Sequence, residues 1–279
     1  MSSLDLAGAG ALVTGAGQGI GLATARHLTA RGARVALVDV DAARAEEAAA
    51  SLSGALPVGA DVRDREAMAD ATAHALEEFG RLDVVVANAG VTPQRGTLRT
   101  LDPEDFDRVL AINVTGVFNT VRPAIEPVIA AGGHVVVVAS VAAMAPGPMG
   151  SPYMISKAGV EQLGRALRLE LVSHGATAGV AYFGIVETEM THVTMDGDPI
   201  AAALSRKLPA PMRKRIAPED AGRVIVDGIE RRAPRTLAPK AWHALALARG
   251  LVPFLLDDVS ARDKSLLDLV RRSDAETSS

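Results

Sequence analysis

The segment Thr14-Gly15-Ala16-Gly17-Gln18-Gly19-Ile20-Gly21 constrains this chain more than any other stretch. It follows a short apolar run, Ala9 to Thr14, and leads into Gly19–Ala30, where Ile20, Ala23, His27 and Leu28 recur at helical spacing. A glycine-rich turn between a buried strand and a helix permits a tight bend, and it leaves helix N-terminal N–H groups facing outward toward an anion. With 26 glycines in 279 residues, a purely structural turn could also produce such a stretch. Its place between strand and helix favours a pyrophosphate cradle.

The same rhythm continues along the chain. Apolar runs at Arg34–Val38, Leu56–Gly59, Leu82–Ala87, His134–Ala139 and Ala178–Phe183 alternate with helical stretches at Asp41–Leu52, Asp64–Phe79, Pro103–Ile129 and Pro152–Ser173. A further strand is expected at Arg235–Ala238. Asp102-Pro103 and Ser151-Pro152 read as N-caps followed by a proline in the first helical position. Gly80 and Gly175 read as C-terminal glycines, while Pro123 and Pro127 predict a kink or break. Strands buried on both faces and separated by helices form a parallel sheet covered on both sides. The expectation is an α/β fold: a single Rossmann-type, doubly wound domain over 1–279 with about seven mostly parallel strands. No internal repeat or linker divides the sequence.

Composition narrows the function. Hydrophobic residues make up 48% of the chain and charged ones 22%, which suits an ordered globular protein. A net charge of −4 gives no electrostatic case for nucleic acid, and Arg213-Lys214-Arg215 is a short, isolated run that reads as a solvated loop. The absence of cysteine excludes disulfides, thiolate metal sites and cysteine nucleophiles, and it fits a reducing, cytoplasmic setting. Met1–Ala7 holds no basic residue and no apolar core, so no signal peptide is expected. His74, His174 and His192 are scattered without ligand spacing, and no metal is expected. Ser140 lacks the nucleophile-elbow context of an acyl-transfer enzyme.

Asp39 ends the second strand pattern, 18 residues beyond Gly21. An acid there can accept hydrogen bonds from adenosine ribose hydroxyls, and it would repel a 2′-phosphate. Neither Gln18 nor Val40 supplies a compensating cation, so NAD is expected over NADP. The competing reading is that Asp39 or Asp41 caps the next helix, and it fits Asp41 better.

These residues, with others in a fixed order, resemble the short-chain dehydrogenase/reductase family in its ordinary-length branch. The resemblance runs from about Leu6 to Gly228 and rests on the glycine loop, Asp61-Val62, Asn88-Ala89-Gly90, Asn113, Ser140 and Tyr153-x-x-x-Lys157. It implies an NAD-dependent oxidoreductase acting on alcohols or ketones. Within it, Gly15, Gly17, Gln18, Gly19, Ile20 and Gly21 would hold the pyrophosphate, Asp61 and Val62 would contact adenine, and Asn88, Ala89 and Gly90 would lie beside the cofactor. Ser140 would hold the substrate oxygen, Asn113 a water leading to solvent, and Lys157 the nicotinamide ribose. It also implies a homotetramer or homodimer.

The proton chemistry follows from the residues themselves. Oxidising an alcohol requires a base for its hydroxyl proton, and a tyrosine with pKa about 10 is a poor one at neutral pH. A nearby cation favours tyrosinate. Tyr153 and Lys157, four apart on one helical face, can supply both parts. The bland alternative is a packed tyrosine and a solvated lysine. A carbonyl reductase using NADPH would share the site, as would a non-catalytic nucleotide sensor of the same fold.

Two regions depart from the resemblance or lie beyond it. Tyr182-Phe183-Gly184-Ile185-Val186-Glu187-Thr188 keeps Gly184 and Thr188 but has Phe183 where the family usually has proline. Thr188 would contact the carboxamide, and Ile185 or Val186 would back the ring. Glu189–Ala217 reads as a lid whose Met190, Met195, Leu204, Leu208 and Met212 either face a lipophilic substrate, together with Met144 and Met149, or form an ordinary core face. The C-terminal extension, 239–279, contains an apolar run, Ala241–Leu256, preceded by Arg231, Arg232, Arg235 and Lys240. It is too short and interrupted to span a bilayer. Packing or a subunit contact is expected first, peripheral membrane contact second.

Overall fold

The computed structural model describes residues 2–144, 147–249 and 262–277. Seven strands form one sheet: β1 Gly10–Thr14, β2 Arg34–Asp39, β3 Ala55–Gly59, β4 Val84–Ala87, β5 His134–Val138, β6 Thr177–Phe183 and β7 Arg235–Ala238. Their order is β3-β2-β1-β4-β5-β6-β7, and every pairing is parallel. The strand order reverses between β1 and β4, and in such sheets the carboxyl ends at the reversal open a crevice. The loops after Thr14 and Ala87 both leave the sheet there.

The apolar runs are continuous because both faces of the sheet are covered. Leu12, Val85, Val137 and Val180 face one core beneath α3 (Arg65–Phe79), α5 (Gly116–Ala130) and α6 (Ser151–Val172). Ala11, Val13, Val84 and Val136 face the other, beneath α1 (Gly19–Thr29) and α9 (Pro218–Glu230). Truncating a fully buried strand leucine such as Leu12 to alanine would cost about 2–5 kcal/mol. Helix α9 crosses α1 closely, and a Cβ at Gly222 would fall 2.6 Å from the Ala23 carbonyl carbon.

Local signals set most helix ends. Asp41 accepts from the Arg44 N–H at the start of α2 (Ala42–Ala50), Asp64 caps α3, and Asp102 caps α4 (Pro103–Leu110). Gly80 closes α3 in the left-handed region at φ +70°. One expectation fails: Gly150, not Ser151, is the N-cap of α6; Ser151 already has helical geometry, and its hydroxyl has no partner among the described residues. Of the expected kink or break at the prolines there is no break, since α5 runs through Pro123 and Pro127. A π-helical turn, Ala111–Thr115, separates α4 from α5 and carries Asn113.

After β6 the chain forms α7 (Glu189–Thr191), a second π turn at His192–Asp196, α8 (Pro199–Ser205) and a 3-10 turn at Ala210–Arg213. A one-residue parallel bridge between Val186 and Ile216 ties the two ends of this excursion together. Beyond β7 come α10 (His243–Ala248) and a C-terminal helix, Lys264–Thr277. Residues 250–256 of the apolar run lie outside the described residues.

Candidate active site

The crevice at the strand-order reversal is a cleft of about 360 Å³. One end is the glycine loop. Gly21 allows it to close: a Cβ there would stand 2.1 Å from the Gly15 carbonyl oxygen. Asn88 braces the loop from β4, its Nδ2 donating to the carbonyls of Thr14 (3.0 Å) and Gly15 (3.3 Å). The Thr14 hydroxyl accepts from the N–H groups of Asn88 and Ala89. Gln18, the N-cap of α1, makes no side-chain cap, and the first turn carries no acid. The N-terminal N–H groups of α1 are therefore left for an external anion, in contrast to the aspartate-capped α2, α3 and α4.

Asp39 reaches back across this loop. One carboxylate oxygen accepts from Gly17 N–H at 2.9 Å and the other from Asp41 N–H at 3.1 Å. A side chain on Gly17 would collide with Asp39 and Arg44, both 2.9 Å from its Cβ position. Asp41 takes the capping role, as the sequence suggested. Two arginines at this end escaped the sequence reading. Arg63 lines the cleft but is held bidentately by Asp61, whose carboxyl it keeps below its ordinary pKa. Arg44 donates to Gln18 (2.9 Å) and pairs with Asp41 and Glu189. A glycine cradle, bare helix N–H groups and a carboxylate at the end of β2 together fit a dinucleotide.

At the other end the cleft is lined by Ser140, Tyr153 and Lys157. Ser140 follows β5, where its hydroxyl accepts from Ala142 N–H and donates to the Phe183 carbonyl. Its hydroxyl also acts on the neighbouring Tyr153. Lys157 is buried, and its Nζ donates to the Val138 carbonyl at 2.9 Å. Asn113 sits opposite: its Oδ1 accepts from Val91 N–H, and its Nδ2 donates to the Val91 carbonyl and to Ser156. Asn113 Oδ1 and Lys157 Nζ both lie 3.3 Å from the Cβ position of Gly90, so a methyl group there would press tightly on both.

The electrostatics modify the sequence argument. Burial pushes the Tyr153 pKa up, and its interaction with Ser140 offsets this only in part. Burial also lowers Lys157 to about 8. Lys157 Nζ is turned toward Val138, 5.6 Å from the Tyr153 ring centroid, so desolvation outweighs the expected cationic effect. The resting pair thus keeps its proton on Tyr153.

Val62, Ala89, Val186 and Thr188 also line the cleft. Thr188 caps α7, and its methyl group lies 3.4 Å from the Cβ position of Gly19, placing the base of the lid against the glycine loop. Gly184 is required by a contact the sequence did not reveal. The buried Trp242 indole stands over it, with Nε1 2.5 Å from a Cβ placed there. Phe183, in place of the usual proline, is buried and gives its carbonyl to Ser140. Of the five apolar lid residues, Met190 lines the cleft, whereas Leu204 packs in a satellite core with Met149. Met144 belongs to the main core. Val91, Ile112 and Thr191 line the cleft unannounced, since nothing in their spacing marks them. Among the described residues there is no cluster suited to a metal, and no helix is long and apolar enough to cross a membrane.

Comparison with known proteins places this geometry. The sequence model for the family described as short chain dehydrogenase matches residues 9–198. The 2-(R)-hydroxypropyl-CoM dehydrogenase of Xanthobacter autotrophicus is 37% identical over 207 residues, covering 71% of this chain and 83% of that protein. The probable oxidoreductase EphD of Mycobacterium tuberculosis is 32% identical over 252 residues, 86% of this chain but 42% of that longer protein. Among solved structures, the 3-ketoacyl-(acyl-carrier-protein) reductase of Brucella melitensis, complexed with NADH, aligns with a TM-score of 0.73 at 28% identity. That alignment covers 84% of this chain and 97% of the reductase.

Proposed function

The chain belongs to the short chain dehydrogenase family and is an oxidoreductase; from that premise we propose that it interconverts a secondary alcohol and its ketone with NAD as hydride carrier. The observation that carries this reading is the convergence of Ser140, Tyr153 and Lys157 on one cleft with the glycine loop. When bound, the nicotinamide supplies the hydride acceptor or donor and, in its oxidised form, a positive charge. The chain's own groups manage the proton. In reduction Tyr153 gives its proton to the oxygen as negative charge develops there; in oxidation its phenolate oxygen takes the hydroxyl proton. Ser140 holds the substrate oxygen beside Tyr153. Lys157 fastens the nicotinamide ribose and, when charged, favours the phenolate. Asn113, fixed in its π turn, holds a water through which Lys157 exchanges protons with solvent.

Charge balance supports NAD over NADP. Asp39, beside the glycine loop, would repel a 2′-phosphate, and both arginines at that end are already paired, Arg63 with Asp61 and Arg44 with Asp41 and Glu189. The apolar Val91 and Met190 in the cleft wall support a lipophilic substrate. The test is a panel running from polyols to long-chain 2-alkanols and their ketones, assayed with NAD(H) and NADP(H). Turnover with NAD(H), rising with chain length, is expected. Preference for NADPH would overturn the cofactor assignment, and faster turnover of polyols the substrate class. Tight nucleotide binding without turnover of any alcohol or ketone would favour a nucleotide-sensing protein instead.

A further inference from the structure

Outside the residues that line the cleft, the segment after β6 carries a second layer built largely from residues beyond the family match, which ends at residue 198. The C-terminal helix Lys264–Thr277 packs on α8. Leu269 meets Ile200 and Met149 in a small buried cluster, with Ala203 and Leu204 packed against it. Arg95, in the loop after β4, joins the two helices. Its guanidinium pairs with Asp198, the N-cap of α8, and donates to Ser273 Oγ and Glu276 of the C-terminal helix, both at 2.7 Å. Thr97 and Arg99 of the same loop reach Asp274.

Arginine suits this position because its planar fork offers five donors in fixed directions, and here they serve three acceptors on two helices. Arg95 and Asp198 are 21% and 22% exposed, so solvent and salt screen their pairing less than that of a surface pair. The layer also touches the catalytic helix. Met149, at φ +65°, holds a left-handed conformation that a non-glycine residue keeps only when its surroundings impose it. It directly precedes Gly150, the N-cap of α6, and lies four residues before Tyr153.

We propose that Arg95 is a positioning residue that clasps the C-terminal helix onto α8, fixing the substrate wall of the cleft while leaving the nucleotide wall independent. The effect on substrate rests on the hydride-transfer reading given above; the effect on lid order does not. The test uses the full chain with Arg95→Gln, Arg95→Lys and Leu269→Ala. Each is examined by hydrogen exchange over residues 189–208 and 264–277, by NADH fluorescence titration, and by steady-state kinetics on a 2-alkanol series. Arg95→Gln should speed exchange in α8 about tenfold and raise the alcohol KM about tenfold, with kcat and NADH affinity within about twofold of wild type. Leu269→Ala should reproduce this pattern, and Arg95→Lys should restore part of it. Wild-type exchange in α8 with Arg95→Gln would overturn the proposal, and so would a loss of NADH affinity as large as the rise in KM. If no 2-alkanol turns over, the lipophilic-substrate reading fails by itself, and the exchange and titration data still decide on the clasp.

Discussion

The two walls of the cleft are held by different means. The wall we propose for the nucleotide is made of backbone: a glycine loop closed against Gly15, braced by Asn88 and Thr14, and seated on strands buried on both faces. The wall we propose for the substrate is supported from behind by side chains brought together from far apart in the sequence. Arg95, Asp198 and Glu276 meet there, above a small apolar cluster of Met149, Ile200 and Leu269. Where lid and glycine loop meet on the nucleotide side, the pair Arg44–Glu189 is 46% and 60% exposed, and such pairs contribute little. A backbone-built wall leaves few substitutions open to it. A wall of paired side chains can be remodelled one pair at a time.

Three substitutions or conditions test that contrast, beginning with the largest effect. Gly21→Ala places a Cβ against backbone that cannot yield, so NADH affinity should fall by about a hundredfold or more, with some loss of thermal stability. A titration curve unchanged from wild type would show that the cradle is not the nucleotide site. Asp39→Ala acts on charge and on the hydrogen bonds from the Gly17 and Asp41 N–H groups, without a clash. It should narrow the NADH-over-NADPH binding ratio by about tenfold, a change of about 1.4 kcal/mol. If the ratio stays put, Asp39 does not face the ribose.

The smallest effect lies in the pH dependence. Burial favours the protonated Tyr153 and lowers Lys157 to about 8. Reduction uses the protonated pair and should hold at neutral pH, then fall as pH rises through this range. Oxidation needs the proton removed and should rise over the same range, with apparent values belonging to the pair. Rate–pH profiles in both directions check this, and parallel profiles would contradict the assignment.

The same contrast explains what could be read from the sequence. The sheet was legible because strands buried on both faces leave uninterrupted apolar runs, and Arg235–Ala238 fell on its strand without adjustment. Gly15, Asp39, Ser140, Tyr153 and Lys157 were legible because each sits at the end of a strand or on one helix face, where spacing carries geometry. Arg95 was not, since its partners lie 103 and 181 residues away and no periodicity links them. Trp242 was hidden for the same reason; its contact with Gly184 exists only once β7 has docked beside β6. The π turn at Asn113 was missed because helical periodicity on either side masks one altered turn, and the prolines downstream drew the break toward themselves. The Tyr153–Lys157 pair lines the cleft, but its burial, which reverses the expected shift of Tyr153, could not be read from a four-residue spacing.

The central claim is that a hydride leaves a carbinol carbon while Tyr153 manages the proton. It is tested most directly by isotope transfer. A 2-alkanol carrying deuterium on its carbinol carbon is incubated with NAD and the enzyme, and the NADH formed is weighed by mass spectrometry. Wild-type enzyme is expected to pass the deuterium, as deuteride, to NAD and so to form labelled NADH. Tyr153→Phe should form labelled NADH about a thousandfold more slowly while binding NADH normally. Unlabelled NADH, or label transfer at the wild-type rate in the Phe variant, would contradict it.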